Sequence, residues 1–117
     1  MVLRESGRAI GKTFNVEALV RPTLDIGVDG GAELLAFADA VLGADDGGLD
    51  NAREALADRL GPAAVSAASI IAANFSKNDR IANGLGIPIE KHAIEATVEI
   101  REALGLNDYR SAVNSLG

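Results

Sequence analysis

The stretch PAAVSAASIIAANFSKNDRIANGLG, Pro62–Gly86, decides the fold. Pro62 suits a helix start, because the N–H it lacks has no partner in a first turn. No breaker follows until Gly84 and Gly86, and Pro88 then bars resumption. The spacing predicts a helix over residues 63–83, about six turns long. Its first half is nearly all small or apolar: Ala63, Ala64, Val65, Ala67, Ala68, Ile70, Ile71, Ala72, Ala73 and Phe75. A helix that is apolar around most of its girth is expected to be buried. The fold class predicted is therefore all-α, a small bundle of four to five helices around this long central helix.

Working outward, Ala32 to about Leu42 reads as a helix with Leu34, Leu35, Ala38, Val41 and Leu42 on one stripe, stopped by Gly43. Ala44-Asp45-Asp46-Gly47-Gly48 reads as a turn, after which Asp50 is the expected N-cap of a helix whose apolar face holds Ala52, Leu56 and Leu60. Beyond Pro88, Ile89–Leu104 is predicted as one helix with Ala93, Ile94, Thr97, Val98, Ile100 and Leu104 inward and Gly105 just past its end. A short helix from Tyr109 to about Ser115 closes the chain. Residues 1–30 read as an irregular arm, broken by Gly7, Gly11, Gly27 and Gly30, with Asn15 able to cap a single turn. The organisation expected is an arm over 1–30 and a helical domain over 31–117.

Composition narrows the function. The 117 residues carry 11 bases against 17 acids, a net charge of −6, and no cysteine. Nucleic-acid binding needs a basic surface, and anionic membranes repel an acidic one, so neither is an expected partner. No apolar run approaches the ~20 residues that span a bilayer, and Met1–Phe14 lacks the apolar core of a secretory signal. Without cysteine there are no disulfides and no thiolate metal sites, which suits a reducing cytoplasm, the expected location. No cofactor is expected.

Several motifs resolve into ordinary chemistry. Gly7–Thr13 imitates a phosphate loop, but only three residues separate its glycines, so it reads as part of the arm. Asp45–Asp50 is acidic, yet lacks the ordered ligands of a calcium loop. His92, Glu95 and Glu99 share a helix face, but the order is reversed from Glu-x-x-His and no second motif completes a metal site. They read as a charged, solvated face, and no metal is expected.

The polar end of the long helix is the more informative stretch. Asn74, Lys77, Asn78 and Arg80 emerge from an otherwise apolar element. One reading is that the helix leaves the core there and Arg80 ties down a loop. The other is a pocket in which Asn74, Lys77, Asn78 and Arg80 hold a small anionic ligand or a carbonyl.

The residues Asn74-Phe75-Ser76-Lys77-Asn78-Asp79-Arg80-Ile81-Ala82-Asn83-Gly84-Leu85-Gly86-Ile87-Pro88 resemble the C-terminal segment of the alkylhydroperoxidase D-like and carboxymuconolactone decarboxylase-like proteins. With the preceding helices the resemblance covers about residues 31–90. It implies an all-helical scaffold that assembles into trimers, hexamers or other oligomers. In the peroxidase branch it implies a Cys-x-x-Cys pair, which this chain cannot supply, so it is not expected to be a thiol peroxidase. The function expected is a non-catalytic, homo-oligomeric or binding module. The alternative is a thiol-independent decarboxylase or isomerase acting on a small anion, with Lys77 or Arg80 holding a carboxylate and His92 as acid/base.

Overall fold

The structure is a computed structural model that describes residues 11, 13–21 and 23–117. Among these residues it is all-α, with no strand. The helices are α1 (Gly31–Leu42), α2 (Asp46–Leu60), α3 (Pro62–Leu85), α4 (Lys91–Ala96), α5 (Val98–Ala103) and α6 (Val113–Leu116), with 3₁₀ turns at Val16–Leu19 before α1 and at Leu106–Asp108 and Arg110–Ala112 between α5 and α6. The chain divides into two compact units. Gly27–Asn78 forms one, and the described residues up to Ile26 with Asp79–Gly117 form the other.

The first unit is organised by the hairpin of α1 on α2. Its core is Phe37 and Leu56, both essentially removed from solvent. Ala52, Leu56 and Leu60 do share the inward face of α2. On α1 the stripe is rotated from expectation: Phe37 is buried and Leu42 is exposed, because the face that meets α2 runs through Leu34, Phe37, Ala38 and Val41. Gly30 closes the open end of the hairpin. Its φ is +68°, and an added Cβ would lie 2.6 Å from Leu60 Cδ1. Only glycine fits that approach. The guanidinium of Arg59 pairs with Asp29 at the same end.

Of the turn predicted at residues 44–48 only Ala44 and Asp45 lie outside a helix; α2 already starts at Asp46, with Asp45 as N-cap and Leu49 N–H donating to Asp45 O at 3.0 Å. Gly47 and Gly48 sit in the first turn, where a Cβ on Gly48 would press within 2.6 Å of Asp45 Oδ2. Asp50, predicted as the cap, lies inside the helix and accepts from Arg53 Nη1 at 2.6 Å.

The largest departure concerns α3. It is long and continuous as predicted, but none of its residues is buried. Its half-buried side carries Ala64, Val65, Ala68, Ser69, Ala72 and Ser76. The Ser69 hydroxyl is satisfied by donating to Val65 O at 2.7 Å. The large side chains point the other way: Ile70 is 70% exposed, Phe75 62% and Leu85 74%. The expectation of a buried helix fails because small residues line its covered side. The apolar surplus is turned outward, where no described element covers it. The helix ends at Gly86, φ +68°, with Ile87 N–H donating to Ala82 O at 3.0 Å and Gly86 N–H to Asn83 O at 3.3 Å. This is a Schellman closure, so Gly84 is passed without a stop.

In the second unit Asn15 caps a 3₁₀ turn over Val16–Leu19, its Oδ1 accepting from Glu17 N–H at 3.1 Å. Val16, Ala18, Ile26 and Leu104 are buried. The single helix predicted over Ile89–Leu104 is broken at Thr97 into α4 and α5. The Thr97 hydroxyl donates to Ala93 O at 2.6 Å. Such back-bonding competes with the helical ladder and bends it. Val98, predicted inward, is exposed. The last helix is a 3₁₀ turn over Arg110–Ala112 followed by α6.

Candidate functional site

Two features stand out: a cavity among the C-terminal elements and an exposed apolar cluster on the N-terminal part of α3. Within the second unit a cavity of about 490 Å³ lies among the end of α3, α4, α5 and the C-terminal turns. Its wall is mainly apolar, with Ile87, Ile94, Ile100, Leu104 and Leu116. In its wall Arg101 is half-buried and tied on three sides. Its Nε donates to Thr97 Oγ1 at 3.2 Å, Nη1 to Asn107 Oδ1 at 2.6 Å, and Nη2 to Ile94 O at 2.8 Å. The guanidinium thereby bridges the kink at Thr97 to the following turn. Ser115 Oγ accepts from Ile89 N–H at 2.8 Å and pins the loop before α4.

The volume suits a small ligand, but the lining carries no nucleophile set beside a base. Asp79 is its one side-chain carboxylate and no histidine is in its lining; of its hydroxyls Thr97 donates to a backbone carbonyl, Ser115 accepts from a backbone N–H, and Ser111 is the third. The recurring constellation of nucleophile, base and orienting group is missing from this wall. A second, smaller hollow of about 350 Å³ lies beside Phe14, Asn15 and Glu17 with Glu99, Ile100 and Ala103.

The residues singled out from sequence do not meet in either cavity. Asn74, Lys77, Asn78 and Arg80 are all exposed along α3. His92 is 80% exposed on α4, its Nδ1 3.4 Å from Glu90 Oε2. Asp79 and Asn83, one turn apart, do line the 490 Å³ cavity. Among the described residues no three histidine, aspartate or glutamate side chains gather as a metal site, and no helix is long and apolar enough to cross a membrane. Gly7–Lys12 lies outside the described residues apart from Gly11. Sequence reasoning missed Arg101, whose signal was Thr97 one helical turn before it and Asn107 just beyond Gly105.

The second feature is the outward face of α3. In the Gly27–Asn78 unit Ile70, Ile71 and Phe75 are each more than half exposed and lie on neighbouring turns of α3. These three present on the order of 400 Å² of apolar side chain, taking roughly 200 Å² for a fully exposed residue of this size. The largest apolar patch of an ordinary monomer is about 300–600 Å² and is frequently functional. Compared with protein-family models, with curated proteins and with solved structures, the chain matches none of them.

Proposed function

We propose that this chain is a non-catalytic helical module that works by association, with the outward face of α3 as its contact surface. One observation carries the reading: within Gly27–Asn78 the half-buried positions of α3 are mostly small residues, while Ile70, Ile71 and Phe75 are exposed. An amphipathic helix ordinarily does the reverse. Leaving two isoleucines and a phenylalanine largely in water forfeits several kcal/mol, at roughly 1.5–3 kcal/mol per fully buried side chain. Association recovers that free energy, and it ties folding to protein concentration.

The resemblance of residues 31–90 to alkylhydroperoxidase D-like proteins fits this reading as a scaffold without the redox pair, since the chain has no cysteine. The decarboxylase-type alternative draws no support from the geometry, because His92 stands exposed beside Glu90 and lines neither cavity. The test is the mass in solution. Light scattering across the micromolar range is expected to give a multiple of 12.0 kDa. A strict monomer throughout overturns the proposal.

A further inference from the structure

We propose that the 490 Å³ cavity of the second unit binds a small monocarboxylate with an apolar tail, its carboxylate on Arg101 and its tail against the isoleucines and leucines of the wall. Every residue that lines the cavity lies between Asp79 and Leu116, so the site is complete within that unit.

The first argument is the state of Arg101. A guanidinium carries five N–H donors and a permanent positive charge. Three of the donors are taken, by Thr97 Oγ1, Asn107 Oδ1 and Ile94 O. These acceptors are neutral, so they fix the group without neutralising it. One N–H on each Nη is left over, and among the described residues no carboxylate pairs with Arg101. A half-buried cation that is held in place and lacks an anion is a prepared anion contact. Its ordering is already met within the fold, and a charged hydrogen bond gains strength away from bulk water.

The wall is the second. Ile87, Ile89, Leu106 and Leu116 line the cavity and are still between 40% and 53% exposed. Apolar area of this kind is unfavourable in water, and a tail that enters the hollow removes it. At ~30 Å³ for each water the volume equals that of about sixteen, which admits a ligand of roughly ten non-hydrogen atoms.

Sign is the third. The lining holds two charged side chains, Asp79 and Arg101. Asp79 is exposed, where water and salt screen it. Arg101 is half-buried and fixed by its three hydrogen bonds. The fixed and less solvated charge dominates recognition, and it selects an anion.

The test is an amide NMR titration of the whole chain with octanoate, octan-1-ol and octylammonium, which share a tail and differ in head group. Octanoate is expected to shift the amides around Thr97, Arg101 and Asn107. It should bind about ten- to a hundredfold tighter than octan-1-ol, the range that a charged hydrogen bond supplies. Hexanoate should bind more weakly, by about fourfold for each methylene removed. Arg101→Gln should bring octanoate down to the affinity of octan-1-ol and leave the alcohol unchanged. A variant that weakens both alike gives Arg101 a structural role alone and overturns the contact. Ala93→Phe fills the cavity from α4 and leaves Arg101 in place, so it should abolish binding of both whether or not Arg101→Gln folds. Octanoate binding undiminished in Ala93→Phe overturns the cavity as the site. Equal affinity for octanoate and octan-1-ol, a preference for octylammonium, or no shift at millimolar octanoate overturns the proposal.

Discussion

Two alanine substitutions separate an inward core from an outward face. Leu56 is fully buried in the α1–α2 hairpin, so Leu56→Ala should cost about 2–5 kcal/mol through lost transfer free energy and the cavity left behind. That is a large share of the ~5–15 kcal/mol that holds a domain of this size together. Phe75 is the larger side chain, and a buried phenylalanine cut to alanine costs about 3–5 kcal/mol. Here only a little over a third of it is covered. The remaining transfer term is about 0.5–1 kcal/mol, and alanine's better helix propensity offsets about half a kcal/mol of it. In dilute solution Phe75→Ala should therefore lie close to neutral. Urea unfolding followed by far-UV circular dichroism measures both, first well below the association range and then well above it. At the higher concentration the Leu56→Ala deficit should stay the same, while a Phe75→Ala deficit appears. If Phe75→Ala costs as much as Leu56→Ala in the dilute limit, the phenylalanine is packed within its own chain and the outward assignment of α3 is wrong.

Gly30→Ala should destabilise the hairpin by about 2–4 kcal/mol, since it combines a left-handed backbone with a Cβ driven into Leu60; thermal unfolding reads it, and a neutral result would show that the close approach is absent. Arg101→Met keeps the length of the side chain and loses its three donors, so it should cost about 2–3 kcal/mol, with amide hydrogen exchange accelerating around Thr97 and Asn107. Arg101→Lys should recover little of this, because an ammonium cannot reproduce the fork.

Much of the fold was legible in local chemistry. Pro62 and Gly86 bracket α3 because one lacks a donor that a first turn does not use and the other takes a left-handed φ that the closure requires. Asn15 caps its turn as its side-chain oxygen allows. Leu56 and Leu60 follow helical spacing to the inward side of α2. The break at Thr97 was hidden, since a hydroxyl bonded to the carbonyl four residues back does not by itself break a helix: Ser69 makes the same bond to Val65 O inside the continuous α3. Arg101 was hidden because its three partners converge only once that break exists. The candidate residues Asn74, Lys77, Asn78 and Arg80 were legible as the polar end of an apolar helix, but their exposure was not.

Sequence by itself determined the all-α class, the extent of α3, the exclusion of thiol chemistry and the acidic charge that disfavours nucleic acid. Each follows from residue type or from spacing along one element. The tertiary structure alone decided which way α3 turns its apolar residues. Composition counts isoleucine and phenylalanine as core-forming wherever they stand. The direction of a helix face depends on what packs behind it, and here Ala64, Ala68 and Ala72 hold the covered side while Ile70, Ile71 and Phe75 are left in water.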